Sequence, residues 1–168
     1  MILSGYEIVA ARERGELDIE PFCLEQVNPN SYNFRLASTF VELYPHRQSH
    51  RRSFGPHGHL LVPGHLYLGC TNEIIGSVKY AMTLLGRSST GRLGLFLNIT
   101  ADLGHVGSTS RWTLEMTVVQ PLRVYSGMKI GQVAFWVQSG STSGYSGRYH
   151  GDHGPQPNRD TSLDRVSI

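Results

Sequence analysis

Short runs of apolar or alternating residues, separated by glycine, proline, asparagine and serine, fill the chain from Phe34 onward. Alternation over about four to eight residues is typical of a strand with one buried face, and closely spaced runs of this kind are typical of sandwiches and barrels. The pattern therefore predicts an all-β architecture, either a distorted β-barrel or a jelly roll. The predicted strands are residues 34–40, 60–62, 66–68, 80–85, 95–99, 111–119, 122–125 and 130–137.

The N-terminal segment has a different pattern. Residues 6–14 are rich in helix-forming residues, Ser4 stands before them as an N-cap, and Glu7 follows Ser4 at the spacing of a capping box. Gly15 is a natural end for a helix. We therefore expect one short helix before the first strand.

Glycine and serine dominate residues 139–147, and such a composition predicts a flexible segment. We expect residues 1–138 to form one β domain and residues 139–168 to be its C-terminal tail, with residues 160–168 weakly docked or disordered. Between strands, residues 46–59 are expected to form a long loop.

Composition narrows the class of partner. The chain has 168 residues, enough for one domain with a substantial core, and its net charge is +2. This balance predicts neither a nucleic-acid partner nor a membrane partner, and the local His/Arg excess at 46–52 is interpreted as a solvated loop. Cys23 and Cys70 adjoin apolar residues and are expected to be buried free thiols. With no signal peptide and no apolar run near 18 residues, we expect a cytoplasmic protein.

One segment has the composition of an anion-binding loop. Residues 86–95 place two arginines, Arg87 and Arg92, and three hydroxyls between glycines. Guanidinium forks, hydroxyls and backbone N–H groups can converge there on phosphate oxygens. The alternative interpretation, a Gly/Ser turn with two surface arginines, is about as frequent for an isolated segment of this kind.

A single carboxylate interrupts the apolar run at 112–116. Glu115 lies between Leu114 and Met116, so alternation would place it on the opposite face from these two residues. A carboxylate among strand residues is costly unless it is paired, hydrogen-bonded or used in chemistry. The strand pattern alone does not distinguish a general base from a glutamate on a polar face.

Six segments, in order and at near-family spacing, resemble the dCTP deaminase branch of the dUTPase-like superfamily. Residues 86–95 match its GRSSxxRLGL motif, and the others are 1–22, 29–36, 63–73, 126–132 and 148–159. The resemblance implies a distorted β-barrel, a homotrimer with active sites shared between subunits, and a tail that folds over bound nucleotide as a lid. It also implies deamination without zinc.

The resemblance also implies residue roles. Glu115 matches the catalytic glutamate of the family. Ser88 and the carbonyl of Ala101 match the groups that hold the water, and Arg92 matches a cation beside the reacting centre. The implied nucleotide-binding residues are Arg87, Ser89, Thr100, His105, Gln132, Tyr145, Arg148 and Asp152.

Four positions depart from the family pattern. His105 replaces an aspartate that meets the sugar hydroxyl and assists pyrophosphate hydrolysis in dUTPases and bifunctional members, while Asp152 replaces a glutamine in the tail. A carboxylate only accepts hydrogen bonds, whereas an amide also donates. Arg148 replaces a lysine and Asn33 an aspartate. These changes indicate a divergent member whose nucleotide can differ from dCTP.

The sequence thus favours deamination of a cytosine nucleotide, by default dCTP to dUTP and ammonia. Three alternatives stay open: a pyrophosphohydrolase of nucleoside triphosphates, a specialised enzyme for a modified or ribo nucleotide, and a non-catalytic nucleotide-binding module. The His/Cys-x-Glu and Pro-Cys-x-x-Cys elements of zinc deaminases are missing from the sequence. We expect no zinc and no metal held by side chains, with Mg²⁺ entering only through the triphosphate.

Overall fold

The computed structural model describes residues 1–43, 50–149, 151 and 153–159. Helix α1 spans Gly5–Glu13 and helix α2 spans Ser88–Gly91, with a 3₁₀ turn at Leu24–Gln26. The strands in the described ranges are β1 (Leu17–Glu20), β2 (Val27–Asn28), β3 (Ser31–Arg35), β4 (Thr39–Leu43), β5 (Arg51–Ser53), β6 (His59–Leu61), β7 (Leu66–Cys70), β8 (Ile74–Ser77), β9 (Tyr80–Gly86), β10 (Leu95–Leu97), β11 (Leu103–Gly104), β12 (Thr109–Ser110), β13 (Thr113–Val118), β14 (Leu122–Val124) and β15 (Lys129–Val137).

Two five-stranded sheets carry most of the fold. Their strand orders are β10-β13-β7-β4-β5 and β11-β9-β15-β3-β2, and all their pairings are antiparallel. A three-stranded sheet, β1-β8-β12, and the pair β14-β6 complete the strands. The predicted mainly β fold with a short N-terminal helix is confirmed, although the pairings within the described ranges leave both large sheets open rather than closing one barrel.

One hydrophobic core joins the two large sheets. Tyr32 and Phe135 from one sheet and Tyr67 and Met116 from the other are fully buried members of the same cluster. Burial of large apolar side chains is the main stabilising contribution in such a domain. Strand β13 lies between β10 and β7, so both of its edges are hydrogen-bonded, and its core-facing residues anchor one of its faces.

Helix α1 begins as the sequence predicts. The side chain of Ser4 accepts a hydrogen bond from the backbone N–H of Glu7, at 3.3 Å. The Glu7 carboxylate instead pairs with Arg14, 2.5 Å away, so the reciprocal half of a capping box is replaced by an ion pair. Neither helix in the described ranges has the length and hydropathy needed to cross a bilayer.

Three expectations about the strands and loops are wrong. The predicted strand 34–40 is two strands, β3 and β4, in different sheets, because residues 36–38 cross between the sheets. Strand β5 lies inside the predicted loop 46–59, where its exposed residues pair with the edge of β4. Cys70 is buried as expected, but Cys23 is partly exposed and donates to Glu25. Two further predictions fall partly or wholly outside the described ranges: residues 46–49 of the predicted loop, and the C-terminal residues 160–168.

A buried carboxylate, that of Glu73, is hydrogen-bonded to the end of strand β3 and to the 3₁₀ turn. Glu73 has no exposed surface and accepts hydrogen bonds from the backbone N–H and Nε of Arg35, at 2.8 and 2.7 Å, and from Nε2 of Gln26, at 3.2 Å. The carboxylate raises the pKa of the Arg35 guanidinium by hydrogen bonding and charge. Three donors on one buried acceptor make this cluster a structural one.

Candidate active site

Glu115 lies on the solvent side of a central strand. Its neighbours Leu114 and Met116 are fully buried, whereas Glu115 is half-buried, as alternation predicts. Strand β13 pairs with β10 on one side and β7 on the other, with Glu115 opposite Leu68. Neighbours on both sides hold the backbone that carries the carboxylate.

A cavity of about 390 Å³ opens beside this carboxylate. Its floor is the outer face of strands β7 and β13, where Leu66, Leu68, Thr113 and Glu115 alternate with core residues. An apolar floor with a few polar groups is typical of small-molecule sites. The residues that line it are Leu43, Leu66, Leu68, Ala101, Ser110, Arg111, Trp112, Thr113, Glu115, Tyr149, Gln156 and Asn158.

Two predicted site residues from the segment after β10 join Glu115 here. Thr100 Oγ1 donates to Oε2 of Glu115 at 3.3 Å, and Ala101 lines the cavity. Asn98 binds the Glu115 backbone twice: its Oδ1 accepts from the Glu115 N–H at 2.8 Å, and its own N–H donates to the Glu115 carbonyl at 3.0 Å. The carboxylate is therefore held through both its backbone and its side chain.

The predicted anion loop lies elsewhere in the chain. Arg87 caps helix α2, and its Nη1 donates to the carbonyl of Lys129 at 3.1 Å, while Ser88, Ser89 and Arg92 are exposed. Helix α2 precedes β10 and the Glu115-contacting segment follows it, so the two groups lie at opposite ends of that strand. Within the part of the chain that the structure describes, none of these four residues lines the Glu115 cavity.

Gln132 belongs to the neighbourhood of the anion loop. Its Oε1 accepts from Ser31 Oγ at 2.8 Å, and its Nε2 donates to the carbonyl of Gly86, where the loop begins, at 3.3 Å. Both ends of the amide are thus used within the chain. Gln132 fixes the start of the loop in this conformation.

His105 and Tyr145 form a separate group. Their rings stack with centroids 5.4 Å apart, and the backbone N–H of Tyr145 donates to the carbonyl of Val106 at 2.9 Å. Gly107 approaches Gly144 so closely that a Cβ at Gly107 would lie 2.9 Å from the Gly144 Cα. The start of the tail is therefore docked on the turn that carries His105, beside a second cavity of about 460 Å³.

The end of the described tail crosses the Glu115 cavity. The N–H of Gln156 donates to Thr113 Oγ1 at 3.1 Å, and Arg51 Nη2 donates to the carbonyl of Pro155 at 3.3 Å. Tyr149, which lines the cavity, accepts a hydrogen bond on its hydroxyl from the N–H of Arg159. Arg148 is exposed, and its carbonyl accepts a hydrogen bond from Nη1 of Arg159. Asp152 lies outside the described residues.

Sequence reasoning missed Asn98, Arg111 and Thr113. Alternation from Glu115 would have found Thr113, two positions earlier on the same strand face, whereas Arg111 lies before the strand begins. The Nη1 of Arg111 donates to the carbonyl of Asn72, so the guanidinium is anchored at the cavity wall. No sequence pattern indicates that Asn98 reaches Glu115.

Few of the residues that line the cavity are metal ligands. In the described ranges, no three His, Cys, Asp or Glu side chains cluster in a way that could hold a metal ion. The cavity offers one carboxylate, one guanidinium and several neutral polar groups. Such a set can bind an organic nucleotide and activate one water molecule.

Comparison with known proteins gives consistent matches over most of the chain. The dCTP deaminase-like family model matches residues 2–137. A "dCTP deaminase, dUMP-forming" of Clostridium botulinum is 43% identical over 169 residues, covering 94% of this chain and 95% of that protein. A protein of the same description from Leptospira biflexa is 42% identical over 166 residues, covering 94% of each chain.

A solved structure has a similar fold. The 2'-deoxycytidine 5'-triphosphate deaminase from Agrobacterium tumefaciens superposes with a TM-score of 0.68 at 23% identity. The match covers 82% of this chain, and this chain spans 48% of that one, about half its length. At this identity the similarity establishes the dUTPase-like fold alone.

Proposed function

The chain belongs to the dCTP deaminase-like family, and on that premise we propose that it is an enzyme that hydrolytically deaminates dCTP to dUTP and ammonia, without zinc. The observation that carries the proposal is the Glu115 carboxylate, held by Thr100 and Asn98 at a cavity that Ala101 also lines. A carboxylate fixed at the wall of a nucleotide-sized cavity is the group that hydrolytic deamination requires.

Glu115 acts as general base and proton shuttle in this proposal. It takes a proton from a water molecule, whose oxygen then bonds to C4 of the cytosine ring. The same carboxyl passes the proton to the amino nitrogen, the C4–N bond breaks, and ammonia leaves. The remaining hydroxyl proton moves to ring N3 as the C4 carbonyl forms, which gives the uracil base. Ser88 and the Ala101 carbonyl hold the water, and Arg92 supports the negative charge of the tetrahedral intermediate.

The anion loop reaches this centre from a second copy of the chain. Ser88 and Arg92 lie at the far end of β10 from the Glu115-contacting segment, so a homotrimer with shared sites would bring them together. Exposed apolar side chains surround both groups and favour an interface there: Leu93, Phe96, Ile99 and Leu103 are 51%, 42%, 69% and 56% exposed. Closed symmetry then completes every site equally.

The remaining predicted residues hold the nucleotide. Arg87, Ser89 and Arg148 bind phosphates, with Mg²⁺ entering only on the triphosphate. Gln132, Tyr145, His105, Thr100 and Asp152 contribute contacts to phosphate, sugar or base. Residues 139–168 act as the lid. In keeping with this role, the Gln156 N–H donates to Thr113 Oγ1 at the cavity, and the adjacent Pro155 carbonyl accepts from Arg51.

Incubation with a nucleotide panel tests the function. We expect dCTP to gain about one mass unit and release ammonia, as oxygen replaces NH, when dCTP, CTP, dCMP, CMP, dUTP and dATP are compared by liquid chromatography and mass spectrometry. Preference for CTP or a monophosphate would indicate the specialised-pathway alternative. Tight binding with no turnover of any nucleotide would contradict the enzyme assignment and favour a binding module.

The names of the relatives favour a second candidate product. Proteins called dUMP-forming are 43% and 42% identical to this chain over 94% of its length, so conversion of dCTP onward to dUMP and pyrophosphate is the alternative. His105, where the family has an aspartate, argues for release of dUTP. The product peak in the dCTP incubation, dUTP or dUMP, separates the two.

Mixing two inactive variants tests the shared site. We expect Ser88→Ala and Glu115→Gln to be inactive alone, and co-expressed chains to regain roughly a quarter of wild-type activity, since that share of sites draws both intact groups from different chains. Each variant purified and assayed without its partner is the control. Mixed trimers as inactive as the single variants would show that one chain supplies both groups.

A further inference from the structure

The backbone adopts a left-handed conformation at Asn98, directly after strand β10, and bends at the next two residues. Asn98 has a φ of 44°, and among the described residues it is the one non-glycine position with positive φ. Asparagine tolerates this left-handed conformation better than most residues because its short polar side chain can bond locally. The residue is 7% exposed, so its amide needs partners inside the protein.

The amide of Asn98 finds such a partner in the backbone of Glu115. Pairing between β10 and β13 ends at Leu97 opposite Met116. Beyond that point Asn98 Oδ1 accepts the Glu115 N–H at 2.8 Å, in place of a strand carbonyl, and the Asn98 N–H donates to the Glu115 carbonyl at 3.0 Å. The side chain therefore holds Glu115 in strand geometry where the strand partner has turned away.

The same turn brings the next residues back over the carboxylate. Thr100, two positions later, donates to Glu115 Oε2 at 3.3 Å, and Ala101 lines the cavity. A continued β10 strand would carry both residues away along β13. The left-handed residue thus allows one short segment to contact both the backbone and the side chain of Glu115.

We propose that Asn98 is a positioning residue for the reaction, which sets the backbone of Glu115 and directs Thr100 and Ala101 to it. The inference rests on the proposed role of Glu115 as general base. Asn98 acts through Glu115 and is assigned no contact with the nucleotide. Asn98 contributes two properties that substitutions can separate. Its side chain supplies a hydrogen-bond acceptor, and its backbone tolerates a positive φ.

Two substitutions separate these properties. Asn98→Gly keeps the tolerance of positive φ and removes the acceptor, whereas Asn98→Asp keeps both and adds a negative charge. Asn30→Gly, at an exposed turn remote from the cavity, is the matched control for introducing glycine.

The first measurement is hydrogen exchange of the Glu115 amide, which needs no turnover. We expect exchange to accelerate at least about tenfold in Asn98→Gly and to stay within about threefold of wild type in Asn98→Asp and Asn30→Gly. Unchanged protection in Asn98→Gly would overturn the proposal. Because this readout is independent of activity, it remains decisive even if dCTP is not the substrate.

The second measurement is kcat, compared with nucleotide Kd on the same preparation. Small misplacement of a catalytic group can cost about 10²-fold in rate, so we expect Asn98→Gly to lose about 10- to 100-fold in kcat, with nucleotide Kd within about threefold. Asn98→Asp keeps the hydrogen-bond acceptor and should lose clearly less kcat than Asn98→Gly. Equal losses of kcat in the two variants would show a merely structural role.

Discussion

Glu115→Gln is expected to lower kcat for dCTP deamination by about 10³-fold, within the range of about 10² to 10⁴ that a general base contributes. Glutamine keeps the shape of the side chain and can still accept from Thr100, but it cannot take a proton from water. Nucleotide affinity and melting temperature should stay near wild type, because Glu115 is half-buried and its backbone bonds to Asn98 are unchanged.

Steady-state rates and nucleotide binding by calorimetry are measured on the same preparation. Glu13→Gln, an exposed glutamate at the end of α1, is the matched control and should be indistinguishable from wild type. A Glu115→Gln variant that retains more than about a tenth of wild-type kcat would exclude Glu115 as the base.

Glu73→Gln is expected to destabilise the fold by about 3 kcal/mol, near the lower end of the cost of breaking a buried pair, because Arg35 keeps some exposure. The glutamate accepts three hydrogen bonds in a fully buried position, two from Arg35 and one from Gln26. An amide puts an NH₂ group against at least one of these donors and leaves the guanidinium without its counter-charge.

Thermal unfolding at equal protein concentration measures the effect, and about 3 kcal/mol corresponds to a decrease of roughly 6–12 °C in Tm for a domain of this size. Glu7→Gln makes the same chemical change in the exposed pair with Arg14, and its Tm should stay close to that of the wild type because solvent screens this pair. Equal losses in the two variants would contradict the assignment of Glu73 as the structural centre.

Local patterns predicted the fold class well and its connections less well. The period of two on residues 113–118 placed Glu115 opposite the core, and the Ser4 cap located the helix, because both depend on near neighbours. Strand β5 carries no apolar signal: its three exposed residues pair through backbone groups with β4, and β5 forms the edge of that sheet. Such pairing depends on where β4 lies.

The predicted strand 34–40 shows a second limit of the sequence pattern. The N–H of Leu36 donates to the carbonyl of Met128 and the N–H of Ala37 to that of Cys70, so these two residues are buried where the chain passes between the sheets. Phe34 before the crossing and Phe40 after it are both buried, so the hydrophobic pattern does not show that the chain changes sheet. A sequence pattern records whether a residue is buried, but not which layer covers it.

The candidate site divides in the same way. Residue types singled out Glu115 and the arginine–serine loop as candidates, and the resemblance of six segments to the family added Thr100, Ala101 and the expected roles. That Asn98 binds the Glu115 backbone, that Arg111 and Thr113 share its cavity, and that the anion loop lies at the other end of β10 appear only in three dimensions.

By itself, then, the sequence determined the β-rich class, the N-terminal helix, the family and the side of the strand on which the carboxylate lies, because each depends on local chemistry or short periods. Only the tertiary structure decided which residues hold that carboxylate, and that within one chain the anion loop lies apart from it. Those contacts join positions 15 to 43 residues apart, such as Thr100 with Glu115 and Thr113 with Gln156, and their geometry is set by strand pairing and turns.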